Sequence, residues 1–306
     1  MRLNFKHFNL AMILSIGGME FAHAEWIGKV SGQYEFNSNL SNAQPLADIN
    51  SDSAFRMNLS GGKYFQLTDS TGLSMTADLG GANQIRFNGL NNISYGLSTS
   101  LRHKFGLGDF APWISAAGSA AYHDFENAPR DGWRYNLSFA MGKRLTERFL
   151  LQLKYRYEEQ ISDRIYNIPG LTHATFDNED PRTPIGGDAF NLSAHNVTLT
   201  GIFTITDAVT AFLAYSHREG GITSTVGFDP DILEYGKAIA IDSAFGNNRF
   251  AYRVDAGTHQ FSTGLSWEIT GHASFNLAYD WLETSGEHGL KYNNNIGRVS
   301  LIYSFE

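Results

Sequence analysis

The sequence contains no cysteine, which excludes disulfides and thiolate metal sites and suits an exported chain that needs neither. After residue 24 it has no uninterrupted apolar run near the roughly 18 residues that a membrane-spanning helix requires. A bilayer protein without such a helix can cross only as a closed barrel, because every backbone N–H and C=O must find a partner inside the protein. Positive charge is also in deficit. Lys and Arg number 23 against 31 Asp and Glu, a formal charge of −8. That balance argues against nucleic acid, which selects basic surfaces.

What is present points to one large all-β domain. The 306 residues include 31 glycines, 22 phenylalanines, 14 tyrosines and 5 tryptophans but only 7 prolines, and glycine and aromatics belong to barrel walls and interface girdles. Met1 to Ala24 reads as a cleavable secretory signal peptide. Arg2 and Lys6 make a basic start, Leu10 to Ile16 an apolar stretch, and Ala22-His23-Ala24 a small-x-small cleavage site. Gly17-Gly18 and Glu20 shorten the apolar run too far for an anchor helix. The expected mature domain is 25–306.

Strand-like alternation fills that domain. Val30, Gly32, Tyr34 and Phe36 alternate with Lys29, Ser31, Gln33 and Glu35; Trp133, Tyr135, Leu137 and Phe139 alternate with Arg134, Asn136 and Ser138. The same holds around Leu97, Leu153, Val197, Leu265 and Leu277. Period two places each set on one face of a strand. A soluble sandwich alternates too, so three further features decide. The segments run about 10 to 15 residues, near what a tilted strand needs to cross a bilayer. Aromatics gather toward the ends of the apolar face. Short and long connections alternate.

The short connections share a form. Leu67-Thr68-Asp69, Leu145-Thr146-Glu147, Ile205-Thr206-Asp207 and Ile269-Thr270-Gly271 each end a strand with Thr and a turn former, whose side chain can bond nearby backbone. Gly106-Leu107-Gly108-Asp109 fills the remaining slot. Between them lie longer loops: 38–53, 84–90, 126–132, 162–189, 220–247 and 284–289. The pattern predicts an all-β, antiparallel, up-and-down transmembrane barrel of about twelve strands, with the short turns on the periplasmic side.

The leader, the hairpin series and the terminal Val299-x-Leu301-x-Tyr303-x-Phe305 resemble Gram-negative outer-membrane β-barrel proteins of a porin-like kind. Glu306 departs from that pattern, because the family usually stops at the aromatic. The opening Tyr34-Glu35-Phe36-Asn37-Ser38-Asn39-Leu40 is similar to the first strand of several proteobacterial barrels. The resemblance implies a cell outer membrane location. It implies as partners the lipid bilayer, lipopolysaccharide and the barrel-assembly machinery, which reads the C-terminal strand. No cofactor is implied, and a monomer is expected.

If the apolar face meets lipid, the opposite face lines the lumen. It carries Lys29, Arg56, Arg102, Arg134, Lys154, Arg156, Arg218 and Arg298 against Glu35, Asp78, Glu158, Glu268 and Asp280. The basic excess favours anionic permeants, because a charged low-dielectric wall focuses field on the solute. Arg56, Arg102, Arg134, Lys154, Arg156, Arg218 and Arg298 are therefore the candidate permeation residues of a passive channel for small solutes. The competing expectation is that they pair in lumen salt bridges without selectivity. A second functional reading is a non-conducting surface protein, whose two acidic long loops bind a partner or divalent ions through carboxylates such as Asp163, Asp177, Glu179, Asp180, Asp229, Asp231 and Asp242. An enzyme is not expected. The one His-x-Ser spacing, His272-Ala273-Ser274, falls in a short turn. His123 and Asp124 are adjacent, so on a strand they face opposite ways.

Overall fold

A computed structural model describes residues 24–165, 168 and 186–305. Apart from Ala24, the expected leader lies outside the described residues, as do Asp177, Glu179 and Asp180. Thirteen strands are present: β1 (Ala24–Asn37), β2 (Asp52–Thr68), β3 (Thr71–Gln84), β4 (Asn92–Lys104), β5 (Trp113–Phe125), β6 (Gly132–Thr146), β7 (Phe149–Ser162), β8 (Leu192–Thr206), β9 (Val209–Val226), β10 (Ala238–Ile241), β11 (Phe250–Thr270), β12 (Ala273–Gly286) and β13 (Lys291–Phe305). All except β10 join one antiparallel ring of twelve. Neighbours in the chain pair in order, β9 pairs with β11, and β13 returns to β1 from Gly28↔Phe305 to Asn37↔Ile296. Closure leaves the ring no free edge, which is the condition for a sheet to sit in hydrocarbon.

Alternation within each strand sorts the side chains. Leu59, Leu97, Leu137, Leu199, Leu265 and Leu277 form an aliphatic belt on the outer face, with Leu97 67% exposed. Above the belt, toward the long loops, stand Tyr34, Tyr95, Tyr122, Trp133, Tyr215 and Trp281; below it stand Trp26, Phe65, Phe203, Trp267, Tyr303 and Phe305. In water such a surface would be an aggregation site, since monomeric soluble proteins rarely expose apolar patches beyond a few hundred Å². In a bilayer it is the required solvent contact, with aromatics at both interfaces.

The turn chemistry expected from the sequence is present. Thr68 and Thr146 accept from the backbone of Ser70 and Arg148 at 3.3 Å each, and Thr270 accepts from His272 and Ala273 at 3.3 and 3.1 Å. All four tight turns follow the same register shift, at Gln66/Thr68, Arg144/Thr146, Thr204/Thr206 and Glu268/Thr270. A bulge adds local twist, which helps a strand reverse into its neighbour. The glycine-rich connection is longer than expected and spans 105–112, with Gly106 and Gly108 at φ 116° and 83°.

One long loop departs from expectation. Residues 220–247 do not form a simple surface loop. β9 continues to Val226, β11 starts at Phe250, and the two stay paired above the ring from Ala256↔Gly220 to Phe250↔Val226. β10 adds on the other edge of β11, from Ala238↔Arg253 to Ile241↔Phe250. The cause is composition. Ile222, Val226, Ile239, Tyr252 and Val254 are apolar, and all are buried. They pack with Leu290 and Tyr292 from the β12–β13 side and Ala43 from the β1–β2 loop. The buried apolar clusters among the described residues lie at the long-loop end of the barrel.

Candidate functional site

Every basic residue predicted for the lumen lies on the inner register of its strand, opposite the apolar belt. The inner face of β3 to β6 is built from small side chains, among them Gly80, Ser98, Ser100, Ala117, Ser119 and Ser138. Short side chains leave room that longer ones would fill in a barrel of this size. The adjoining wall of β7 to β9 carries Lys154, Arg156, Glu158 and Arg218.

The seven candidate permeation residues fall into two groups. Four have carboxylate partners: Arg56 with Glu35 at 2.9 Å, Arg156 with Glu158 at 2.6 Å, Arg218 with Glu158 at 3.8 Å, and Arg298 with the buried Asp280. Three have none among the described residues. Arg102 lies 4.3 Å over the ring of Trp113, and Arg134 lies 5.6 Å from the ring of Phe125. Lys154 has neither ion pair nor hydrogen bond among the described residues. The lumen thus contains the expected salt bridges and, beside them, cations that no carboxylate among the described residues pairs with.

The β9–β11–β10 extension roofs this space. Asp242, just after β10, is fully buried. It accepts from Arg130 at 2.6 Å, from Thr225 at 2.7 Å and from Asn127 at 3.3 Å. Arg130 and Asn127 belong to the loop between β5 and β6. Beyond Asp242, the Phe245 ring lies tilted against Phe87 at 4.9 Å and packs on Leu90, in the loop between β3 and β4. The lid therefore leaves the ring at β9 and β11 and docks on the opposite wall. The β1–β2 loop holds it from another side: Asp48 pairs with Arg249, Ser224 donates to the Asn42 carbonyl at 2.8 Å, and the Thr225 amide to the Ser41 carbonyl at 2.8 Å. A six-residue helix, α1 (Pro230–Tyr235), is capped by Asp229, whose carboxylate accepts from Asp231 and Ile232. The Asp229 amide in turn donates to the Tyr252 hydroxyl at 2.9 Å, and burial pushes that phenol up to about 12.

Beneath the lid is a cavity of about 320 Å³. Arg130, Arg134 and Arg218 line it with Gln160, Ser216, Thr258, Thr284, Asn294 and Tyr292, and the lid contributes Ile222, Thr223 and Thr225. A second cavity of about 330 Å³ adjoins it and shares Arg134, Gln160, Leu192 and Arg218.

The remaining candidates do not gather. His123 is on the inner face of β5 and Asp124 on the outer. His272 lies in the turn before β12 and Ser274 within it. Among the described residues no three His, Cys, Asp or Glu side chains assemble as a metal site. Four described carboxylates of the acidic loops are engaged in structure: Asp163 on the Tyr122 hydroxyl at 2.6 Å, Asp188 on Arg253 at 2.6 Å, Asp229 on α1 and Asp242 on Arg130; Asp231 is exposed.

Fold and interior together define a transmembrane-type β-barrel with a charged, roofed lumen. Its fold is that of outer-membrane channels. A channel from Pseudomonas putida F1 superposes with a TM-score of 0.57 at 13% identity, over 92% of this chain and 95% of that one. The NanC porin gives 0.44 at 11% identity, over 90% and 98% of the two chains. The channel DcaP of Acinetobacter baumannii gives 0.41 at 10% identity, over 92% and 97%. No family model matches the sequence, and no curated protein matches it.

Proposed function

We propose that the protein is an outer-membrane channel for small anionic solutes, closed on its outer side by the lid. The carrying observation is that Arg102, Arg134 and Lys154 face the lumen with no carboxylate partner among the described residues. Unneutralised cations in a low-dielectric passage raise the local concentration of anions and repel cations. The small side chains of β3 to β6 support an aqueous path beside them, and the shared fold with outer-membrane channels supports the location. In that location the bilayer and lipopolysaccharide surround the belt, and β13, with its alternating aromatics, is the strand for the assembly machinery to engage.

The test is planar-bilayer recording from the refolded mature chain under a salt gradient. The reversal potential should sit toward that of chloride. Lys154→Glu and Arg102→Glu should each move it toward the cation. A wild type without selectivity, or charge reversals without effect, would overturn the reading.

The latched lid favours a second reading, a non-conducting surface protein. Silence in the wild type and in Asp242→Ala, with both correctly folded, would decide for it. Silence in the wild type followed by conductance in Asp242→Ala would mean a closed channel instead.

A further inference from the structure

We infer that the cavity beneath the lid is a binding site for one small hydroxylated oxyanion, a carboxylate or phosphate ester of about monosaccharide size, with Arg134 and Arg218 as its anchors. The inference rests on the channel reading and makes it more specific: the solute pauses at a defined site during passage.

Arg134 carries the argument. It projects into the cavity and makes no hydrogen bond or ion pair among the described residues; its Nε is buried without a partner. The side chain is half-buried, and a guanidinium N–H withdrawn from water without an acceptor carries an uncompensated desolvation cost that the nearby Phe125 ring only partly offsets. Folding alone gives no reason to keep it there. Arg218 is only partly satisfied. It donates to the Gly221 carbonyl at 2.9 Å and stands 3.8 Å from Glu158, while its Nη1 is buried and unpartnered. Arg130, the third guanidinium at the cavity, is already taken by Asp242. Two planar forks with vacant donors suit an oxyanion, which accepts paired N–H bonds.

The rest of the lining indicates what accompanies the negative charge. Gln160 presents an amide and Tyr292 an aromatic ring, while the hydroxyls of Ser216, Thr258 and Thr284, which bond Asn196 and each other at 3.0 Å, keep lone pairs toward the cavity. Neutral groups that both donate and accept match hydroxyl groups on the guest. A volume of about 320 Å³ is room for one such guest. The lid supplies part of the wall through Ile222, Thr223 and Thr225, so the shape of the site depends on where the lid is held.

The experiment uses the refolded mature protein in detergent at fixed chloride. Binding of glucuronate, acetate, inorganic phosphate and neutral glucose is measured by calorimetry and by thermal unfolding. Glucuronate should bind saturably and raise the melting temperature, at least tenfold tighter than acetate or phosphate, and glucose should do neither. Arg134→Met should weaken glucuronate at least tenfold yet melt higher than wild type without ligand, because it removes a buried donor that has no acceptor. Lys63→Met, beside the Trp26 ring near the short-turn end of the barrel, should leave the affinity unchanged. Should Arg134→Met fail to fold, Arg218→Gln serves in its place. No saturable binding, equal affinity for acetate, or equal losses at Lys63 and Arg134 would overturn the site. Anion-selective conductance without saturable binding removes the site and leaves the channel. Binding without conductance does the reverse.

Discussion

The guanidinium of Arg130 donates to the carboxylate of Asp242 at 2.6 Å, joining the loop between β5 and β6 to the loop between β9 and β11. Asp242 has no exposed surface, and the Arg130 side chain is 17% exposed. The Arg130 guanidinium also lies 4.5 Å over Phe190. Removing one member of a buried ion pair costs about 3–5 kcal/mol, since the other charge stays buried alone. Asp242→Ala should therefore release the lid while the ring stays closed. Single-channel recordings should show longer open times than wild type, with retained heat-modifiable migration on gels. Unchanged gating in a folded variant would deny the latch its role.

Gly89 offers a steric test of the same docking. A Cβ added there would stand 2.7 Å from the Cα of Ala244 and 3.0 Å from its Cβ. The two backbones touch because neither residue has bulk. Gly89→Val should push the lid off the β3–β4 loop without touching a charge. Hydrogen exchange should accelerate at 238–245 and stay slow in the ring strands. If Gly89→Val and Asp242→Ala both leave exchange in the lid unchanged, the lid is held elsewhere.

Gly220 marks the level where β8 stops pairing and β9 runs on alone with β11. Its φ is 144°, and a Cβ would lie 2.3 Å from the Ser193 carbonyl oxygen. Positive φ in this region suits glycine, and a backbone oxygen cannot rotate aside as a side chain can. Gly220→Ala should cost on the order of 1–3 kcal/mol and lower folding yield in detergent. Gly271→Ala, with open space around its position, is the control that should fold normally.

Asp131 gives a pH test. Burial raises its carboxyl above the ordinary range, against the Phe125 amide that donates to it at 2.7 Å. A group whose folded value is raised contributes its full stability below the unfolded value and loses it as pH rises through the folded one. Melting temperature should therefore fall across the pH range just above ordinary carboxylate titration. Asp131→Asn should flatten that decline. Identical profiles for variant and wild type would remove Asp131 from the account.

Most of the barrel could be read from side-chain order alone, because lipid outside and water inside impose opposite chemistry on alternate residues. Leu97 and Ser98 differ for that reason and no other. The tight turns were legible because Thr68, Thr146 and Thr270 act on their own neighbours. The inner placement of Arg134 followed from period two, but its lack of a partner could not, since pairing across a lumen depends on strands far apart in sequence. The lid escaped notice for a similar reason. Counting the carboxylates in 220–247 hides the apolar Ala238-Ile239-Ala240-Ile241, whose partners Tyr252 and Val254 sit on another strand. Short apolar runs inside an acidic loop were the signal for buried structure there.

The pairing of β1 with β13 also sets an order of events. Most neighbouring strands are joined by a single connection. The seam joins Gly28 to Phe305, the two extremes of the described chain, and this contact has the largest loop to close. It must wait for every hairpin between them, so a chain stalled before its last strand carries two unsatisfied borders and no finished wall. Substitutions at the seam should therefore act on assembly kinetics before they act on the completed molecule.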